Sequence, residues 1–349
     1  MKKFSPFLLA AVLLLLLIIS GALFFQRKGF SGQEEDRYTF QSFHMGSLFT
    51  IVVYADDRSL AQDASNAAFD RIEELNLIMS DYIERSELNQ LSLASRSGKE
   101  VKVSDPLFEV LKESIYVSEV TDGFFDVTVG PLTKSWRELR AMPEPVLPDE
   151  DVLGELLDRV GFRAMKLDKN QQTVELLKPG MQLDLGGIAK GYAVGEALQI
   201  IKQFGIRSAL VDGGGDISVG EPPPGRDYWE VALAREQVDG ETRFVTINLY
   251  NKNVSTSGDM YQFVEIDGQR YSHILNPQTG LGATEQYQAT VIAGKGAHAD
   301  AFASALTLTG PDRGIELVND LEGVEAVIFK NTDGGLQQWK SDGFKRFMK

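Results

Sequence analysis

The sequence predicts an α+β fold on three observations. Runs with helical spacing of apolar residues alternate in blocks with short β-branched and aromatic runs, not in the strict strand–helix order of a doubly wound sheet. Asp267-Gly268 between two such runs is a hairpin signal, and Met45-Gly46-Ser47 interrupts another strand pair. The 349 residues, 43% hydrophobic and 24% charged, are globular in composition and suffice for one large domain or two ordinary ones.

At the N-terminus, Lys2 and Lys3 precede a nearly unbroken apolar run, Phe7–Phe25, which Gln26-Arg27-Lys28 closes. At about 1.5 Å per helical residue the run matches the hydrocarbon thickness of a bilayer. It is longer than the apolar core of a usual signal peptide, and more apolar residues follow the small residues Ser20-Gly21-Ala22. An uncleaved anchor is therefore favoured over a cleaved signal. Residues 1–28 are expected to be this anchor or signal segment, 29–38 a linker (Phe30–Arg37 is its polar stretch), and 39–349 the folded part, placed outside the cytoplasm.

Within the folded part, Thr39–Ala55 reads as a strand pair whose second half, Phe49–Tyr54, is rich in β-branched and aromatic residues. Leu60–Tyr82 is helical, with Ala64, Ala68, Ile72, Leu75 and Met79 recurring every three or four residues. Ser104-Asp105 and Pro106 open a second helix running to Thr121. Asp122–Leu132 (DGFFDVTVGPL) ends that region, Pro143–Pro148 is a surface loop, and Asp149–Val160 a short helix. Ala164–Leu167 and Thr173–Leu176 form a hairpin. In the second half, strands are expected at Trp229–Leu233, Phe244–Leu249, Asn253–Thr256, Phe263–Ile266, Tyr271–Ile274 and Tyr287–Ile292. Helices follow at Ala299–Leu308 and Pro311–Leu321, then strands at Ala326–Phe329 and Leu336–Trp339.

Between the halves lies the stretch that carries most chemistry, Leu183–Gly220. Asp184 closes an apolar segment, Gly186-Gly187 allow a sharp turn, and Ile188, Ala193, Ala197, Leu198 and Ile201 keep helical spacing until Gly205. A second apolar segment, Ser208–Val211, runs into Asp212, three glycines and Asp216. Glycines at a helix start let backbone N–H groups approach an anion, and Lys190 stands one turn in. The same residues also suit a plain strand–turn–helix–strand unit.

A formal charge of −15 without an evident basic patch argues against nucleic acid as a partner. An anionic ligand then needs a divalent cation or a local Lys or Arg. With no cysteine, disulfides, thiolate metal sites and a Cys nucleophile are excluded. Of the three histidines, His44 reads as structural and His298 as a cap-region residue of the helix it opens. His273 instead sits at a strand end entering a Pro/Gly turn, where strands deliver side chains to sites, although a lone His there is structural about as often. Asp300 and Ser304, four apart on one helix, share a face; a carboxylate with a hydroxyl suits Mg²⁺ or Ca²⁺ rather than zinc, although the pair is also common on solvated helices. No phosphate loop of the Walker type, GxSxG elbow or HExxH helix is present.

In chain order, MGS (Met45–Ser47), DGFFDVTVGPL (Asp122–Leu132), LDLGGIAKGYA (Leu183–Ala193), VDGGGDI (Val211–Ile217), STSGD (Ser255–Asp259), HILNPQTG (His273–Gly280) and ADAFASAL (Ala299–Leu306) resemble the ApbE family of bacterial FAD:protein FMN transferases. The likeness spans about Phe40 to Lys349. It implies a T-fold-like α+β architecture with mixed or antiparallel sheets and FAD in a cleft. It also implies Mg²⁺-dependent transfer of FMN to a Thr or Ser hydroxyl of an acceptor protein, with release of AMP. The acceptors would be extracytoplasmic domains of membrane redox proteins, in keeping with an anchor. By the same resemblance, Asp300, Ser304 and the carbonyl of Gly187 would hold the metal, with Ser304 standing where many members have Thr. Met45, Tyr82, Phe124, Phe125, Asp126, Asp184 and Lys190 would meet the flavin and its sugar, and Leu275 would line the same cleft. His273 would be the base, beside Asp300 as the second catalytic residue. Two rivals share these motifs: an FAD pyrophosphatase giving free FMN and AMP, and a non-catalytic FAD-binding protein.

Overall fold

The computed structural model describes residues 37–95, 98–238, 241–258, 262–332 and 335–349. The apolar run Phe7–Phe25 lies outside them, as does Asp259 of the STSGD motif; among the described residues no helix is long and apolar enough to cross a membrane.

Strands β1 (Arg37–His44) and β2 (Ser47–Tyr54) form a hairpin over Met45-Gly46. Both turn residues have positive φ, 47° and 73°, the two-residue turn whose twist matches paired strands. Helix α1 (Arg58–Met79) starts where the Asp57 carboxylate accepts the Leu60 N–H at 2.9 Å. It buries the apolar stripe read from its spacing, including Ala64, Ala68, Ile72 and Leu75. Then come α2 (Glu87–Ala94), β3 (Val101–Lys102), α3 (Asp105–Val120), α4 (Gly130–Arg140), α5 (Glu150–Leu157), β4 (Met165–Asp168) and β5 (Thr173–Leu176). The sequence had suggested neither α2 nor α4. The central unit supplies α6 (Ala189–Gln203), β6 (Ala209–Asp212) and β7 (Asp216–Val219). The segment leading into Asp184 forms no strand; it is held by a single parallel bridge, Val129 to Gln182.

The second half adds the hairpin β8 (Trp229–Val238) and β9 (Glu241–Leu249), then β10 (Lys252–Ser257). A second hairpin, β11 (Phe263–Ile266) and β12 (Gln269–Ser272), closes over Asp267-Gly268 with φ of 51° and 77°. After β13 (Tyr287–Ala293) and α7 (Gly296–Asn319), β14 (Glu325–Thr332) and β15 (Gly335–Lys340) finish the fold. Helix α7 is broken at Gly310 (φ 70°, ψ −179°), and Pro311 opens its second part, so the two helices expected here meet end to end.

Eight strands build the main sheet in the order β1-β2-β6-β7-β10-β13-β14-β15, each neighbouring pair antiparallel. Its inner strands are apolar on both faces because both are covered. Phe49, Ile51 and Val53 of β2 pack against α1 and α6, while Val52 faces the opposite layer with Trp229, Ile247 and Phe344. In β14, Ala326 and Ile328 point to the helical side and Val327 and Phe329 to the other. A smaller cluster around Leu132, Trp136, Val264 and Leu275 joins α4 to the β11–β12 hairpin.

Helices α6 and α7 cross where two glycines meet. A Cβ on Gly296 would lie 2.0 Å from the Gly191 carbonyl oxygen, and one on Gly191 would lie 2.2 Å from that of Gly296. Ala would raise helix propensity at Gly296, but the clash is with backbone and outweighs that gain. Gly296→Ala is expected to cost roughly 1–3 kcal/mol, read as a lower denaturant midpoint; an unchanged midpoint would rule out this close crossing. Beside it, Glu113 on α3 accepts hydrogen bonds from Lys295 (2.8 Å) and His298 (2.5 Å). The His298 bond holds this carboxyl well below the ordinary range despite its burial. His298 thus ties helices together, and His44 likewise pairs with Glu73 at 2.9 Å and stacks on Phe69.

Candidate functional site

Every candidate site residue named from the sequence lines one cleft of about 870 Å³. That volume is in the range of small-molecule and cofactor pockets. The β1–β2 turn brings Met45, whose left-handed conformation is unusual for a residue with a side chain. The end of α1 brings Tyr82, the loop before α4 brings Phe124, Phe125 and Asp126, and the turn before α6 brings Asp184 and Gly187. Lys190 stands on α6, Asp300 and Ser304 on α7, and His273 and Leu275 follow β12.

The α6–α7 crossing sets the electrostatics. Asp300 is buried, and its Oδ2 accepts the Gly191 N–H at 3.0 Å, close to the positive end of α6. Burial, reinforced by Asp216, pushes its carboxyl up to about 8. The amides that could have met an anion are thus partly spent on protein carboxylates, since Gly186 N–H also goes to Asp184 Oδ1 at 2.7 Å. Lys190 is paired with Asp216. Burial opposes its charge, yet Asp216, with Asp300 and Asp212 behind, holds its pKa above the ordinary lysine value.

Asp300 and Ser304 lie one turn apart, and Gly187 comes so near α7 that a Cβ on it would sit 3.1 Å from Ser304 Oγ. A carboxylate, a hydroxyl and a backbone carbonyl are all hard oxygen donors. Such a small set fits Mg²⁺, which is commonly held by one or two carboxylates with substrate phosphates completing the shell. Among the described residues no cluster of three or more acidic, His or Cys side chains could hold a metal without such help.

On the other flank, Asp184 Oδ2 accepts from Arg137 at 3.1 Å, Arg137 also pairs with Asp81, and its guanidinium lies 4.1 Å above the exposed Tyr82 ring. Phe124 lies under the Arg313 guanidinium, 4.8 Å away. Asp126 borders the cleft, but its carboxylate is engaged within the protein: Oδ1 accepts the Thr128 N–H (2.8 Å) and hydroxyl (2.6 Å), and Oδ2 the Phe162 N–H (2.8 Å). Burial raises its pKa. The turn after β12 is fastened by Trp136 Nε1–H to Gly280 O (2.8 Å) and by Gln278 Nε2–H to Asp122 O (3.0 Å). His273 Nδ1 is 3.0 Å from Gln262 O. A carbonyl oxygen only accepts, so Nδ1 carries the proton and Nε2 is the basic atom of the neutral ring.

The family model for ApbE matches residues 45–328, most of the chain. The chain belongs to the ApbE family. The FAD:protein FMN transferase of Haemophilus influenzae is 29% identical over 311 residues, which cover 86% of this chain and 89% of that protein. The Treponema pallidum protein of the same name is 29% identical over 299 residues, 81% of this chain and 82% of its own. The flavin transferase ApbE from Vibrio cholerae superposes with a TM-score of 0.79 at 28% identity, covering 89% of this chain and 99% of that one. The Thermotoga maritima ApbE protein gives 0.79 and 28%, with 90% and 99% covered. The mixed α+β architecture is therefore that of ApbE structures.

Arg137, Asp81 and Asp216, which also border the cleft of this ApbE chain, were given no role from the sequence. Arg137 was missed with its helix, although Leu132, Trp136 and Leu139 carry helical spacing after Gly130-Pro131. Asp216 was noted only as the acid that follows the three glycines. Ser257, in the hydroxyl-rich run Ser255–Ser257 that suits either a phosphate or a plain turn, also borders the cleft, with its Oγ 3.2 Å from Ser304 Oγ.

Proposed function

We propose that this protein transfers FMN from FAD to a Thr or Ser hydroxyl of an acceptor protein, with Mg²⁺, and releases AMP. The observation that carries this reading is that the candidate base, metal donors and flavin contacts, scattered from Met45 to Ser304, all border one cleft. The names of the relatives support it. In the reaction the acceptor oxygen bonds to the FMN phosphorus and the bond from that phosphorus to the AMP phosphate oxygen breaks. The hydroxyl proton passes to Nε2 of His273. Asp300, Ser304 and the Gly187 carbonyl would hold Mg²⁺, which supplies Lewis-acid stabilisation of the departing phosphate. Tyr82, Phe124 and Phe125 supply aromatic surface for the flavin, with Met45 and Leu275 as apolar walls. Positioning and electrostatics carry most of such a phosphoryl transfer.

The apolar run Phe7–Phe25 supports a membrane-anchored protein working on the extracytoplasmic side, on a subunit of a membrane redox complex. The test is incubation with FAD, Mg²⁺ and a candidate acceptor domain, followed by intact mass and AMP measurement. The expected result is an acceptor mass gain matching FMN that EDTA abolishes. AMP and free FMN without adduct, on an acceptor flavinylated by another transferase, would replace the reading by FAD hydrolysis.

A further inference from the structure

We propose that Arg137 is a positioning residue of this cleft, holding Asp184 and Tyr82 in the arrangement that receives FAD. The inference rests on the FAD reading above and adds a residue to it.

One guanidinium serves three partners on two other segments of chain. It pairs with Asp81, donates to Asp184 Oδ2 at 3.1 Å, and covers the Tyr82 ring at 4.1 Å. All three partners border the cleft. A planar, permanently charged fork can bind two carboxylates while its face lies on a ring, which a lysine cannot do. Tyr82 needs this support: 76% of its surface is exposed, so packing does little to fix it. Asp184 is held at both oxygens, by Gly186 N–H on one and Arg137 on the other, so Arg137 also steadies the turn that leads to Gly187. Arg137 itself is seated because α4 is anchored by buried Leu132, Trp136 and Leu139. A salt bridge that merely stapled α4 to the body would have no reason to engage two candidate FAD contacts at once.

The test measures FAD affinity by flavin fluorescence, together with KM and kcat for FMN transfer, in the full chain and in Arg137→Ala, Tyr82→Ala and the double variant. Arg137→Ala is expected to weaken FAD binding by about 10- to 100-fold, as loss of an orienting partner does. The loss should appear in Kd and KM, with kcat at saturating FAD within a few fold of wild type. Because Arg137 acts partly through Tyr82, the double variant should lose less than the product of the two single losses. Fully multiplicative losses would overturn the positioning role, as would unchanged Kd in a variant whose melting temperature falls. If Arg137→Ala does not fold, Arg137→Gln, which keeps most of the stem, carries the test; unchanged FAD affinity in it would overturn the proposal. Wild-type protein that fails to bind FAD would instead remove the functional reading, so the two failures are distinct.

Discussion

Asp300→Asn is expected to lower Mg²⁺-dependent FMN transfer by roughly 10³-fold or more while leaving the fold intact. The activity loss follows from removing the one carboxylate of the proposed donor set. Several kcal/mol of charge stabilisation is what a bound metal contributes, and each 1.4 kcal/mol is about tenfold in rate. The structural side follows from the surroundings of the residue. Burial and the neighbouring Asp216 push the Asp300 carboxyl up to about 8, so its folded-state pKa exceeds its unfolded one. A carboxyl raised in this way opposes folding once pH passes the unfolded pKa, and increasingly so up to the folded value. An amide has no charge to lose there, and its oxygen can still accept the Gly191 N–H that Asp300 Oδ2 accepts at 3.0 Å. Without metal, the Asn variant should therefore melt at or above the wild-type temperature at pH 7. A residue whose loss stabilises the protein and abolishes its reaction is kept for function. The check is a pair of measurements, transfer rate against Mg²⁺ concentration and melting temperature with EDTA. Wild-type rates in the Asn variant, unaffected by chelator, would dismiss the metal assignment.

How much of this was legible in the sequence depended on whether the signal was local. The β11–β12 turn was, because Asp267-Gly268 is a pair that accepts two positive φ values. So was α1, whose buried stripe from Ala61 to Met79 spans about five turns. Helix α2 was not: its eight residues offer Leu88 and Leu91 as the only buried apolar pair. Helix α4 had better signals, with Pro131 in its first turn, apolar spacing and Arg137 and Arg140 in its last turn, but Gly130-Pro131 looks equally like a loop. The membership of the cleft was legible through motifs, since each brings its own short turn. The partners inside it were not. Lys190 reads as a free cation until the fold sets Asp216 beside it, 26 positions on, and Asp126 reads as a ligand contact until Thr128 and Phe162 are seen to occupy its oxygens. The Asp81–Arg137–Asp184 cluster joins segments 56 and 47 residues apart and leaves no pattern in one chain.

His273→Ala should separate binding from chemistry. The side chain follows β12, in a turn fixed independently by Trp136, Gln278 and the Leu275–Gly282 bridge, so its removal leaves the cleft wall in place. FAD affinity should therefore stay within a few fold of wild type. The transfer step should fall by about 10²–10⁴-fold, the usual contribution of a positioned general base. His273→Gln sharpens the point. Its amide can still donate to the Gln262 carbonyl, which Nδ1–H does at 3.0 Å in the native protein, but it offers no basic nitrogen. If His273 acts by keeping that loop in order, Gln should restore the rate; if Nε2 takes the acceptor proton, Gln should be as slow as Ala. Single-turnover mass spectrometry at saturating FAD reads the difference directly. Wild-type rates in both variants would take His273 out of the reaction and leave the proton to another group on the cleft.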